Sequence, residues 1–503
     1  MFDFFAKIRQ FITGVLKKML TTSNVKTALN VEVQVSVAMT EKLLVWSLMY
    51  EGRASWNTEY TPSIFLAAAV AGELARATTS EMTAHIEGSA RAEYLDEQME
   101  KVIPVMRQRL EYCLAKGGMI FKPYPVGDRL QVDYVQADGF YPVKFDGNGR
   151  ITACVFEDVR QSGTYYYTRM EYHELLAGGG YVIKNVAFRS SSKGSLGDQV
   201  QLAEVADWAG LQETTTFAGV NRVLFGYCKN PSANHVDTTS PLGVSCYSRA
   251  EKLIEQAETI WANLIREFES GKRAIDVDSK MFSKDTKGNV KLPDKRLFRS
   301  WNSTAGMNVG EGGPMFKDFT PEFREAAIKA GFNDVLRQIE FVCGLSYGVI
   351  SDPSVVAMTA TEVVNSKQRY YSTVSSIQTE LAAALDDLAY AMDVWATING
   401  LAPAGDYDLS SKFDDSIISD SNAKFAKDTQ AVGLKAMPLY KLLMRNYDLS
   451  ETEAKAWVQE AQDEQPSGLS FDTAPTKPTP QNSDQTSSMD SMSMKQDQMA
   501  EGA

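Results

Sequence analysis

The chain has 503 residues, 23% charged and 44% hydrophobic, with a formal net charge of −13. That length and balance describe a folded protein of several structural units, and the acidic excess argues against a surface that grips nucleic acid, because such grip rests on Lys and Arg neutralising phosphates. Five scattered cysteines (Cys113, Cys154, Cys228, Cys246 and Cys343) without a C-x-x-C pair argue against a disulfide framework or a zinc site and fit a reducing compartment.

Residues Met1 to Leu20 predict an amphipathic helix, with Phe4, Phe5, Ile8, Phe11, Ile12, Val15, Leu16 and Met19 on one face and Lys7, Arg9, Lys17 and Lys18 elsewhere. Arg9 interrupts any signal-peptide core. Packing against its own protein is the expectation; lying on a membrane surface is the alternative. The longest later apolar run, Ile64 to Ala71, is too short to span a bilayer, so a soluble protein is expected. Residues 25 to 115 read as mostly helical: Val35 to Tyr50 and Ser63 to Thr78 carry helical periodicity, and Tyr94 to Lys116 runs until Gly117-Gly118 stops it.

Strand patterning follows. Met119 to Tyr124, Leu130 to Val135, Ile151 to Val159, Thr164 to Tyr172 and Tyr181 to Phe188 alternate or are rich in aromatics, and Gly-containing turns separate them, as in an antiparallel sheet of hairpins. Phe217 to Phe225 is read as a possible return to that sheet. From Pro241 helical period resumes: Ala250, Leu253, Ile254, Ala257, Ile260, Trp261, Leu264, Ile265 and Phe268 form a stripe ended by Gly271-Lys-Arg. Residues 274 to 320 read as an insertion of short strands (Ala274 to Asp278, Val290 to Pro293, Met315 to Phe319). It is locally basic, with nine Lys or Arg from Lys272 to Arg299 against four Asp.

Pro321 opens another helix, with apolar Phe332, Val335, Leu336, Ile339 and Val342; it ends at Gly344, and Gly344 to Pro353 has loop chemistry. Thr359-Ala-Thr-Glu362 reads as a capping box, in which Thr and Glu side chains satisfy orphan N–H groups. No Pro or Gly follows until Gly400, so about 38 residues can stay helical, roughly 57 Å at the standard rise. Asp406 to Asp420 reads as polar and turn-rich. Short helices are predicted at Asn422 to Val432, Pro438 to Asn446 and Ser450 to Glu464, the last opened by the capping box Ser450-Glu-Thr-Glu453. Beyond about Gln465 the composition cannot bury enough to fold, which predicts a disordered tail.

Catalytic signals are missing. The three histidines, His85, His173 and His235, neighbour no nucleophile pattern, and His173-Glu174 lacks the second His of a metalloprotease motif. No phosphate-binding G-x-x-x-x-G-K-[ST] occurs, and Asp406, Asp408, Asp414 and Asp415 lack calcium-loop spacing. The reading is a protein that is not an enzyme, with no catalytic residues, no metal and no cofactor.

The order of these segments resembles the portal proteins of long-tailed bacteriophages that infect Gram-positive hosts. Pro241-Leu-Gly-Val-Ser245 before the striped helix, and Arg266-Glu-Phe-Glu-Ser-Gly-Lys-Arg273 after it, resemble the family's first stem helix and its exit into the clip. Pro321 to Gly344 resembles the returning stem helix; Gly344-Leu-Ser346 and Thr359-Ala-Thr-Glu-Val363 resemble the borders of the tunnel loop. Tyr167-Thr-Arg-Met-Glu-Tyr-His173 and Phe413-Asp-Asp-Ser-Ile417 match weaker stretches of the wing and crown. The resemblance implies an α+β portal fold: N-terminal helices and an α/β wing (1–240), stem helix (241–272), clip (273–320), second stem helix (321–344), tunnel loop (345–360), long helix (361–400), crown (401–464) and disordered tail (465–503). It implies a homo-oligomeric ring, typically of about twelve subunits, at one vertex of the capsid in the virion, assembled in the host cytoplasm. Double-stranded DNA would pass through it during packaging and ejection; the partners would be terminase, a head-completion or adaptor protein, and the major capsid and scaffolding proteins, with no membrane. The implied DNA-facing loop is Ser351, Asp352, Pro353, Ser354, Val355, Val356, Ala357 and Met358. The implied clip contacts are Lys284, Lys287, Lys291, Lys295, Arg296 and Arg299. Many relatives carry Lys just before Thr-Ala-Thr-Glu, where this chain has Met358, so the loop has no basic side chain and steric contact with DNA is expected. Competing readings are a scaffold or adaptor with an intramolecular helical bundle, and a membrane-surface protein using the N-terminal helix.

Overall fold

A computed structural model of the chain describes residues 22–270, 274–278, 298–301, 316–319, 324–353, 360–413, 421–447 and 449–463. The chain divides into two compact units, Met1–Asp420 and Ser421–Ala503. The fold is α+β, as expected. The N-terminal helix, the strand at 290–293, the capping residue Thr359 and the C-terminal tail all lie outside the described residues.

The first unit begins with helices α1 (Thr22–Leu29), α2 (Val37–Tyr50) and α3 (Leu66–Thr79). Ser36 caps α2, its hydroxyl accepting the Met39 N–H at 3.3 Å. A strand the helical reading missed, β1 (Met82–Glu87), alternates buried and exposed residues. Helix α4 (Ala90–Lys116) follows and ends on Gly117 in the left-handed region (φ 90°), where a Cβ would stand 2.7 Å from the Gly243 carbonyl oxygen. Trp46, Val70, Leu74, Leu95, Met99 and Met106 join these helices in the main core.

The hairpin region holds β2 (Gly118–Val126), β3 (Arg129–Gln136), β4 (Phe140–Phe145), β5 (Ile151–Ser162), β6 (Tyr165–Leu175), β7 (Tyr181–Ser190), β8 (Asp198–Val200), β9 (Thr214–Phe217) and β10 (Gly226–Lys229). It forms two sheets rather than one: β10-β2-β3, and β4-β5-β6-β7-β8 with β9 also paired to β7. The possible return at Phe217 to Phe225 is thereby corrected. β9 ends at Phe217, residues 218–225 form no strand, and the chain re-enters a different sheet at Gly226.

Next come α5 (Glu251–Ser270), a small sheet of β11 (Ala274–Asp278), β12 (Phe298–Trp301) and β13 (Phe316–Phe319), then α6 (Glu325–Cys343), α7 (Ala360–Ile398) and β14 (Asp408–Phe413). In the small sheet β11 is central, parallel to β12 and antiparallel to β13. Helices α5 and α6 pair antiparallel. The Trp261 and Phe332 rings lie 5.5 Å apart in mid-pair, and Arg324 reaches both Glu267 carboxylate oxygens, at 3.2 and 2.9 Å, beside the insertion. Helix α7 has 39 residues and buries Val374, Ile377, Leu381, Leu385 and Leu388 completely. It lies so close on β10 that a Cβ on Gly226 would come 2.1 Å from the Ala384 carbonyl oxygen. The stretch read as turn-rich contains β14, which pairs antiparallel with β1 from Met82 opposite Phe413 to Glu87 opposite Asp408.

The second unit contains α8 (Ser421–Gly433), α9 (Leu439–Tyr447) and α10 (Glu451–Asp463). The capping box before α10 is formed: Glu453 accepts the Ser450 N–H at 3.0 Å, and the Ser450 hydroxyl accepts the Glu453 N–H at 3.3 Å.

Candidate functional site: the anchored base of the loop before the long helix

Helix α6 stops because Gly344 turns left-handed (φ 74°). Its N–H bonds back to Phe341 and that of Leu345 to Glu340, the paired bonds of a Schellman end. A Cβ at 344 would lie 2.4 Å from the Thr373 hydroxyl, so glycine lets the turn close on α7. Leu345 is fully buried. Ser366 on α7 accepts the Tyr347 N–H at 2.7 Å and its hydroxyl bonds that of Ser346 at 3.2 Å.

Below this turn sits a carboxylate that sequence reasoning did not single out. Glu340 is 0% exposed. Its Oε1 accepts the N–H groups of Ile350 and Ser351 at 2.7 and 2.9 Å, and its Oε2 accepts the Ser351 hydroxyl at 2.7 Å. One helical face carries a second clamp seven residues earlier: buried Asn333 accepts the Asp352 N–H at 2.7 Å and donates to the Asp352 carbonyl at 3.3 Å. The signal was present. Both polar residues fall within the apolar stripe of α6, four residues after and three before Leu336.

The expected DNA-facing loop therefore divides. Ser351 is buried and turned to Glu340, Asp352 has its backbone held by Asn333, and Pro353 is the last described residue before Ser354 to Met358, which lie outside. Cations missing from the loop flank its base. The Arg337 guanidinium stands 4.9 Å from the Tyr347 ring centre, and that of Arg369 stands 4.6 Å from Phe341 and 5.3 Å from Tyr347. Phe341 remains 52% exposed.

Of the insertion's expected contacts, Lys284, Lys287, Lys291, Lys295 and Arg296 lie outside the described residues. Arg299 lies on β12, opposite Asp276 of β11. The root of α5 is tied down by buried Glu258, which accepts from the Trp56 indole at 2.6 Å, the Asn57 amide and Ser63 hydroxyl at 2.7 Å, and the Ile64 N–H at 3.1 Å.

The most chemically suggestive cluster outside this region sits on the large sheet. Glu171 accepts from Lys122 at 2.7 Å, contacts Arg169 at 3.1 Å, and meets His173 Nε2 at 2.7 Å; His173 Nδ1 lies 2.9 Å from the Tyr181 hydroxyl. Burial opposes ionisation of Glu171, but Lys122, His173 and Arg169 outweigh it and hold its carboxyl well below the usual range. Burial likewise keeps His173 below its ordinary value despite Glu171. The ionised carboxylate can only accept, so Nε2–H donates to it and Nδ1 accepts from the Tyr181 hydroxyl. The imidazole is spent on two structural bonds. Among the described residues no group of three or more His, Cys, Asp or Glu is placed to hold a metal ion, and no helix is long and apolar enough to cross a membrane.

A helix pair bracketing an inserted sheet, an anchored loop and a 39-residue helix occur here in one order. No curated protein matches the chain significantly. A family model, that of the phage portal protein, SPP1 Gp6-like, matches residues 92–467, about three-quarters of the chain and every element from α4 to α10. The chain belongs to the phage portal protein family.

Proposed function

We propose that this portal protein assembles as a ring of about twelve copies at one capsid vertex and conducts double-stranded DNA inward during packaging and outward during ejection. In this reading α5 and α6 are the stem helices (241–272 and 321–344) around the channel, and residues 273–320 are the clip that docks terminase and later a head-completion protein. Residues 345–360 are the tunnel loop, with 351–358 toward DNA. The wing is 1–240, α7 supports the crown of 401–464, and 465–503 is the tail. The chain acts without catalysis, as a structural member of the virion that meets the capsid and scaffolding proteins.

The observation that carries this reading is the α5–α6 pair. It delivers the chain into the insertion, receives it back, and passes it through a clamped loop into α7. Ile265, Phe268 and Phe341 stay 42%, 39% and 52% exposed on that pair. Side-by-side packing of copies would bury what one chain cannot. The net charge of −13 suits transit of DNA over tight binding. Native mass spectrometry of the purified chain tests the ring: closed oligomers are expected, and a stable monomer at micromolar concentration would overturn the reading.

A further inference from the structure

A cavity of about 610 Å³ opens between the two sheets of the hairpin region, a size typical of small-molecule sites. Its floor is the Glu171 cluster on β5 and β6; β2, β3, the segment 207–212, β9 and the end of α7 make its walls. Tyr124, Phe217 and Trp395 line it and stay partly open to solvent, the last two meeting edge to face at 5.6 Å. Val126, Leu211 and Ile398, also in the lining, are 45%, 40% and 44% exposed. The space is therefore walled by rings and aliphatic side chains over a charged floor.

Charge decides what such a space would hold. Every cation in the lining is already matched: Lys122 lies 2.7 Å and Arg169 3.1 Å from Glu171, and Arg160 lies 3.0 Å from Asp158. Burial holds His173 below its ordinary value. Two carboxylates are left over. Asp133, across from Lys122 on β3, and Asp207, next to Trp208, both line the cavity, and among the described residues neither forms an ion pair. Burial pushes the Asp133 carboxyl up, and Glu171 and Asp158 push the same way; Lys122 and Arg169 only partly oppose them. An anion would meet spent cations and two unmatched negative charges. A neutral ligand would leave both carboxylates as they are. An ammonium would pair with a carboxylate and lie against an aromatic ring, whose quadrupole attracts it, while a hydrocarbon body would cover the apolar lining. We propose that this cavity binds a linear aliphatic diamine, with one ammonium on Asp133, the other on Asp207, and the methylene chain against Tyr124, Phe217 and Trp395. The proposal does not depend on the ring.

Isothermal titration calorimetry on the full-length protein tests this with putrescine, cadaverine and hexamethylenediamine, each against the monoamine and the diol of the same chain length. The tightest diamine is expected to bind about tenfold more strongly than its monoamine, the value of one further charge-assisted contact, and its diol is expected not to bind. Asp133→Asn and Asp207→Asn keep the side-chain shape and break no ion pair among the described residues; each should weaken the diamine about tenfold, and the double variant should abolish its binding. Trp395→Leu removes a ring and no charge, and should weaken diamine and monoamine alike by about threefold. Because the whole chain is acidic, a control variant removes two exposed carboxylates elsewhere, Glu41→Gln with Glu460→Gln, and should leave the affinity within about twofold. No measurable diamine binding, a diol that matches the diamine, or affinity that survives loss of both Asp133 and Asp207 overturns the proposal. So does an equal loss in the control variant, which would mean general attraction to an acidic surface.

Discussion

Replacing Glu340 with Ala removes the acceptor at the base of the loop and nothing exposed. Three hydrogen bonds are lost, and the Ile350 and Ser351 N–H groups are left without their acceptor in a site 0% exposed at Glu340. Each orphaned buried donor costs about 1–3 kcal/mol. The two are adjacent and their costs do not add fully, so roughly 3–4 kcal/mol is expected for opening this segment. The protein is too large for a single unfolding free energy to be meaningful, so local hydrogen exchange is the better assay. At 1.4 kcal/mol per tenfold, protection of the 350 and 351 amides should fall on the order of 10²–10³-fold, while the amides of α7 change little. Glu340→Gln keeps one acceptor oxygen, and the Ser351 hydroxyl can turn to accept from the new amide, so a loss of about 1 kcal/mol, roughly fivefold, is expected. An Ala variant whose 350 and 351 amides stay within threefold of the parent would refute the claim that this carboxylate holds the loop.

Other consequences are as definite. Glu258→Ala strands four donors at the root of α5; about 3–5 kcal/mol of local destabilisation is expected, read as early proteolysis at 54–64, and unchanged cleavage there would contradict it. Glu171 and His173 both bind fewer protons folded than unfolded, so their contribution rises with pH and is complete above the ordinary imidazole value of 6.5. It falls first as His173 is forced to charge below 6.5, then again below the ordinary carboxyl value of 4.5 as Glu171 protonates. Nearby Asp133, raised by burial, works in the opposite sense, so the parent is compared with His173→Asn. The variant should have the flatter melting-temperature profile between about pH 5 and 6.5, and equal slopes would count against the assignment. Under the proposed clip role, reversing Lys291, Lys295 and Arg296 to Glu should leave ring mass unchanged and reduce DNA-filled heads; normal filling by that variant would remove those residues from the docking surface.

Much of this architecture was legible because local pattern and tertiary role agree. The long helix needed only a stretch free of Pro and Gly, and it runs from Ala360 to Ile398 where about 38 residues had been expected. The hairpins were marked by glycine turns and alternation. What escaped was set by distance. β1 and β14 are six-residue strands more than 300 positions apart, and neither carries a signal except through the other. β4 contains Pro142, which argues against a strand, yet it occupies the sheet edge, where a missing N–H is tolerated. Residues 218–225 continue the strand-like composition past β9, but Val220, Leu224 and Phe225 are buried there outside any strand, because burial alone does not require a strand ladder.

The loop site shows the same division with a consequence for function. Its sequence advertised an absence, a run from Ser351 to Met358 without a basic residue. It hid the fact that the loop's first residues are clamped from below by Glu340 and Asn333. Two arginines at the loop's base do not replace a missing lysine. Arg337 lies against Tyr347, and Arg369 lies against both Phe341 and Tyr347 and reaches the Leu345 carbonyl at 3.4 Å. A guanidinium stacked on a ring is held in place, whereas a lysine that follows moving phosphates needs a free stem. In the proposed channel these arginines therefore stiffen the loop's base, and contact with DNA falls to the apolar side chains beyond Pro353. If so, adding a charge should hurt more than removing one helps: Met358→Lys would restore an anchor for phosphate and slow the passage of DNA at low salt, an effect that should weaken as salt rises. An effect independent of salt would mean that the substitution acts through the loop's shape instead.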